Sequence, residues 1–152
     1  MTIHYQVERW NDIQPELEPF AVLHWQEIAL DHNVVPLDMD WDKYKDLDDK
    51  EVLHVVTARN EEGIVGYHIS IICGHLHYKS TLHALVDLYY LAPLFRTGRT
   101  GLKLFQFTEN SLKALGVKKI VTGTKVHFNH GRLFEHMGYT NTEVIYTKLI
   151  KE

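Results

Sequence analysis

The chain has 152 residues, 45% of them hydrophobic and 24% charged, with a formal net charge of −4. That is the composition of one globular domain spanning 1–152, and its acidic balance excludes the global basic field of a nucleic-acid or anionic-membrane binder. One cysteine, Cys73, excludes an intrachain disulfide and suits a reducing, cytoplasmic setting; no apolar run reaches the roughly 18 residues of a membrane span.

Residues 3–7 alternate as a strand does. From 15 to 32, Leu17, Phe20, Ala21, Trp25 and Ile28 recur at helical spacing. A shorter helix follows Asp40, a suitable N-cap, with Trp41, Tyr44 and Leu47 on one side. The period then changes: 52–58, 64–74 and 82–91 are rich in β-branched and aromatic residues, with a turn at 60–63. A helix carrying Leu104, Phe105, Thr108, Leu112 and Leu115 stops at Gly116, and 117–124 reads as a buried strand. Asn129 can cap a short helix with Leu133, Phe134 and Met137 that Gly138 ends, and 143–150 alternates as a last strand. The order β-α-α-β-β-β-α-β-α-β predicts an α/β domain with a mixed central sheet and helices on both faces.

Between the third central strand and the helix that follows lies "LFRTGRTGLKLF", residues 94–105. A strand feeding a helix N-terminus leaves amide groups unpaired, and these with the helix dipole favour an anion such as phosphate. Gly98 and Gly101 permit close backbone approach, Thr97 and Thr100 offer hydroxyls, and Arg96 and Arg99 offer charge-assisted hydrogen bonds. The spacing is neither that of a Walker loop nor that of a dinucleotide-binding glycine motif, and a plain surface turn would carry the same residue types.

The run Leu91-Ala92-Pro93-Leu94-Phe95-Arg96-Thr97-Gly98-Arg99-Thr100-Gly101 resembles the pyrophosphate-binding motif of the GNAT superfamily of N-acetyltransferases, and Leu133-Phe134-Glu135-His136-Met137-Gly138-Tyr139 resembles its second signature. The stretch "HLHYKSTLHALVDLYYL", with the arginine loop and "GTKVH", is similar to small GNAT-type proteins of tailed bacteriophages. The resemblance covers nearly the whole chain. It implies the GNAT fold, acetyl-CoA as co-substrate and transfer of acetyl to a primary amine. The cofactor-binding residues implied are Leu91, Arg96, Thr97, Gly98, Arg99, Thr100, Gly101, His127, Asn129 and Phe134. Two positions depart from the family pattern: Arg99 replaces the first motif glycine, and Phe134 replaces the tyrosine that protonates the leaving thiolate. His127 falls where the family has an asparagine, with Asn129 two residues on.

Amide formation from a thioester needs a held thioester, a donor for the developing oxyanion and a base for the amine. A backbone N–H near Leu91 is the expected donor. Strict alternation puts Asp87, His83, Tyr89 and Leu91 on one face, so Asp87, through water, or His83 is the expected base. His75, His77 and His83 form a potential ligand group without zinc-type spacing, and no metal is expected. The expected acceptor is a small amine or an amine on a protein or nucleobase, with no membrane or nucleic-acid partner and homodimerisation left open. The rival class is a GNAT-fold binding module, a phage protein engaging a host factor with little or no catalysis.

Overall fold

The computed structural model describes residues 2–151. Five strands, β1 (His4–Glu8), β2 (Leu53–Asn60), β3 (Gly63–His75), β4 (Tyr78–Leu91) and β5 (Lys119–Val121), form one sheet in the order β1-β2-β3-β4-β5. The first four are antiparallel to their neighbours, and β5 runs parallel to β4. The sheet is mixed, as the element order predicts.

Helices cover both faces, which is why β2 is buried at every residue but Arg59 rather than alternating. On one face, Val55, Ile69, Tyr67 and Tyr90 pack with Trp10, Ile13 and Leu17 of α1 (Trp10–Ile28), and Trp41 and Tyr44 of α2 (Trp41–Asp49) join them. On the other, Val56, Ala58 and Val65 meet Leu104 of α3 (Thr100–Ala114). Each fully buried valine contributes about 1.5–3 kcal/mol of transfer free energy. A last short helix, α4 (Gly131–His136), follows β5. No helix of the described residues is long and apolar enough to cross a membrane.

Asp40 caps α2 as expected, accepting the Lys43 N–H at 2.9 Å. Helix α1 begins five residues ahead of the predicted start at Pro15, because its cap comes from elsewhere. Buried Asp48, at the end of α2, accepts the amides of Trp10 and Asn11 at 3.3 and 3.2 Å and the Arg9 Nε at 3.1 Å. A carboxylate on the first-turn amides does what a local N-cap would do.

The expected strand over 143–150 is not formed, so the observed order is β-α-α-β-β-β-α-β-α. Residues 140–151 carry neither helix nor strand, and Ile145 and Tyr146 are 78% and 90% exposed. Alternation reports which side chains want burial; it does not supply the neighbouring edge that makes a ladder.

Candidate active site

β4 and β5 are in register only at His83, Ala84 and Leu85, opposite Lys119, Ile120 and Val121. Beyond Leu85 the two chains part, and the outer edge of β4 faces a cavity of about 640 Å3. Its walls are the rest of β4, the start of α3, the segment 123–130 and the end of α1. The volume suits a drug-sized ligand or a substantial part of a larger one.

β4 does not alternate through Asp87. Leu88 faces Ile69 and Val86 faces Ser70, so Asp87 is an extra residue, a bulge that resets the period. Tyr89 packs on Phe105 of α3, whereas the Tyr44 hydroxyl of α2 donates to Asp87 Oδ2. Asp87 and Tyr89 therefore face opposite layers, correcting the shared face that strict alternation predicts. Both still border the cavity.

His83 is not in the site. It lies on the paired part of β4, about 13 Å along the strand from Asp87 at roughly 3.3 Å per residue. It is buried, its Nδ1 donates to the Thr81 carbonyl at 3.0 Å, and its ring lies 5.4 Å from that of His75. His77 completes this cluster at the β3–β4 turn. Among the described residues no group of three His, Cys, Asp or Glu side chains is arranged to hold a metal ion.

The 96–101 loop reaches the cavity through Arg96, Thr97, Gly98 and Gly101; Arg99 and Thr100 do not border it. Gly98 has φ +58°, which a side chain rarely adopts. The first turn of α3 has no side-chain cap, and no acceptor among the described residues meets the N–H of Gly101 or Leu102. A Cβ built on Gly101 would meet only Leu91 Cδ2, at 3.9 Å, so its space is open on the cavity side.

Arg96 has protein partners instead of standing free. Its Nε donates to the Leu91 carbonyl at 2.6 Å and its Nη2 to Glu27 Oε2 at 2.7 Å, while its guanidinium lies over the rings of Tyr90 and Phe128. Since the Leu91 carbonyl points outward, its N–H does too, because both groups of a strand residue lie on the same side. His127 bonds the Ile28 carbonyl through Nε2 at 3.0 Å, tying the 123–130 segment to the end of α1. His24 also borders the cavity, and burial pushes its pKa down to about 4, leaving it neutral beside Tyr67.

Phe134 and Asn129 lie outside the cavity lining. Phe134 is buried against Tyr89, Phe105 and Tyr139 and does not border the cavity, contrary to its expected cofactor contact. Asn129 Oδ1 accepts the Gly131 N–H at 2.7 Å in the turn ahead of α4, but the N-cap position is His130, whose side chain makes no capping bond, so the cap expected of Asn129 is not formed. Glu27, His24, Tyr89, Phe128 and His130 line the cavity without having been singled out by spacing. Tyr89 is the one with a signal in hand: it is two residues from Asp87 on the strand already chosen. Its hydroxyl donates to the Gly123 carbonyl at 2.7 Å, and burial raises its pKa.

No protein-family model matches the chain, and no curated protein matches it by sequence. Solved structures do match its fold. Ribosomal-protein-alanine N-acetyltransferase from Brucella melitensis biovar Abortus 2308 superposes with a TM-score of 0.76 at 15% identity, covering 100% of both chains. Glucosamine-6-phosphate N-acetyltransferase from Arabidopsis thaliana gives 0.72 at 15% identity over 99% of this chain and 100% of that one. A predicted acetyltransferase from Clostridium acetobutylicum, solved with acetyl-CoA, gives 0.69 at 13% identity over 98% and 96%. The chain has the fold of these acetyltransferases.

Proposed function

We propose that this protein transfers acetyl from acetyl-CoA to a primary amine by direct attack of the amine on the thioester. One observation carries the reading: the cavity between the parted strands joins the outward N–H of Leu91 to the uncapped amides of α3, with Asp87 on its border. The residues present fit an anionic, extended ligand. The amides at Gly101 and Leu102 would hold a pyrophosphate through the helix start, and the open space at Gly101 would admit its close approach. Bound there, acetyl-CoA supplies an electrophilic carbonyl and a thiolate leaving group.

The N–C bond forms as the C–S bond breaks. The Leu91 N–H stabilises the developing oxyanion, because a fixed donor in a sheltered site needs no reorganisation when charge appears. Asp87, directly or through a water, takes the amine proton, and its charge draws a cationic acceptor to that border. The Tyr89 hydroxyl, on turning away from the Gly123 carbonyl to which it donates, offers a hydrogen bond to the departing sulfur in place of the missing hydroxyl at Phe134. A thiolate with a pKa near 8.5 needs little more help than that. The acceptor is a small amine or a protein or nucleobase amine, and the setting is the cytoplasm, of a host cell if the phage likeness of 75–91 and 94–105 reflects origin.

A second reading, a binding module that keeps the fold without turnover, draws on the lack of a hydroxyl at Phe134 and on Arg96 being engaged by Glu27. Thermal shift with acetyl-CoA, followed by thiol release across an amine panel, separates the two. Stabilisation with turnover supports the enzyme, and stabilisation without turnover the module. No stabilisation removes acetyl-CoA from either.

A further inference from the structure

Two independent features of the fold converge on Asp87. The first is the bulge: with Leu88 facing Ile69 and Val86 facing Ser70, the extra residue turns its side chain toward the α2 layer. The second is Tyr44, whose hydroxyl donates to Asp87 Oδ2 and is the one hydrogen-bond donor that the carboxylate meets among the described residues.

Tyr44 is itself held. Its ring stacks on that of Trp10, with centroids 4.5 Å apart and planes 20° from parallel, and Trp10 stacks in turn on Trp41 at 5.8 Å. Buried Asp48 accepts the Trp10 N–H at 3.3 Å, so the start of α1 and both ends of α2 fix the tyrosine ring. Burial first, and then the neighbouring carboxylate, push the Tyr44 pKa up, so the hydroxyl keeps its proton and stays a donor across the neutral range.

We propose that Tyr44 is a positioning residue for the acetyl transfer, holding Asp87 Oδ2 so that Oδ1 is presented to the acceptor amine. This rests on Asp87 being the base of the proposed transfer. An exposed aspartate otherwise samples several rotamers, and only some of them bring an oxygen to the amine. A donor on a rigid aromatic stack removes that sampling. Tyr44 does not border the cavity, so its effect passes through the carboxylate.

A double-mutant cycle on the full chain tests this, with acetyl-CoA and the fastest acceptor among putrescine, glucosamine and a lysine peptide. Tyr44→Phe keeps the ring and its stack, so the thermal midpoint should stay within a few degrees. Its kcat should fall about tenfold, while the amine KM and the acetyl-CoA affinity change by less than about threefold. In an Asp87→Asn background the same substitution should cost less than about twofold, because the group it positions is no longer a base. A structural tyrosine would lower the rate by the same factor in both backgrounds, and that additive result overturns the proposal. So does a native kcat in Tyr44→Phe, or a loss confined to KM. Loss in Asp87→Asn without loss in Tyr44→Phe removes only the tyrosine and leaves the base in place. Native activity in Asp87→Asn, or a native chain that acetylates none of the three amines, overturns the reading beneath it and this role as well.

Discussion

Arg96 and Glu27 are joined by a 2.7 Å ion pair across the cavity, linking the loop after β4 to the last turns of α1. Both side chains are less than one-third exposed, and the guanidinium also bonds the Leu91 carbonyl, so the pair holds the end of β4 in position. Arg96→Ala should lower the thermal midpoint by several degrees, since leaving a half-buried carboxylate unpaired costs about 1–3 kcal/mol. Scanning calorimetry checks it. An unchanged midpoint with a large loss of acetyl-CoA affinity would mean that the guanidinium serves the ligand instead.

Gly101→Val should weaken acetyl-CoA binding by about tenfold or more, or 1.4 kcal/mol, while Arg99→Ala changes it by less than about threefold. The added Cβ clashes with no protein atom, so the fold survives and the loss belongs to the ligand. Titration calorimetry on both variants decides, and equal affinities would remove the loop from the site.

Asp87→Asn should reduce kcat/KM by about 10² with acetyl-CoA affinity intact, as expected for a lost base. His83→Ala, well away along β4, should leave kcat/KM within about threefold at a temperature where the variant is folded. The opposite pattern would return the base to the histidine.

Phe134→Tyr should not raise turnover, because its ring is buried against Tyr89, Phe105 and Tyr139 and does not border the cavity. The cost is a thermal midpoint lowered by the equivalent of about 1–3 kcal/mol. Tyr89→Phe should instead lower kcat with little change in the midpoint. A gain of activity in Phe134→Tyr would relocate the proton donor.

Stability should fall in mild acid through buried histidines. Burial pushes His24 and His54 down to about 4 and His68 to about 3, from 6.5. All three are neutral in the fold, whereas the unfolded chain protonates them below 6.5. Their contribution is therefore complete above 6.5 and is lost progressively as the pH falls toward 3–4. Urea midpoints should show no contribution from these three histidines to their pH dependence above about pH 7 and should decline below 6.5. His68→Leu should reduce the slope, and an unchanged slope would place the proton uptake elsewhere.

Local physics made much of this molecule legible in its residues. The change from helical to strand periodicity after 52, the Asp40 cap and the stops at Gly116 and Gly138 depend on neighbours a few positions away. They came out as read. So did the mixed sheet, because the element order constrains layering. What only tertiary structure decided are the long-range relations. Asp48 starts α1 from 38 residues away through the Trp10 amide, an alignment no spacing announces. The bulge at Asp87 depends on how β4 registers against β3, and it moved Tyr89 to the opposite layer from the proposed base and broke the face it was to share with His83. Residue type marks Arg96 as able to meet a phosphate, whereas its pairing with Glu27, 69 residues earlier, is set only by the fold. The 143–150 segment marks the boundary between the two. Its alternation was written in the sequence, but a strand exists only where an edge receives it.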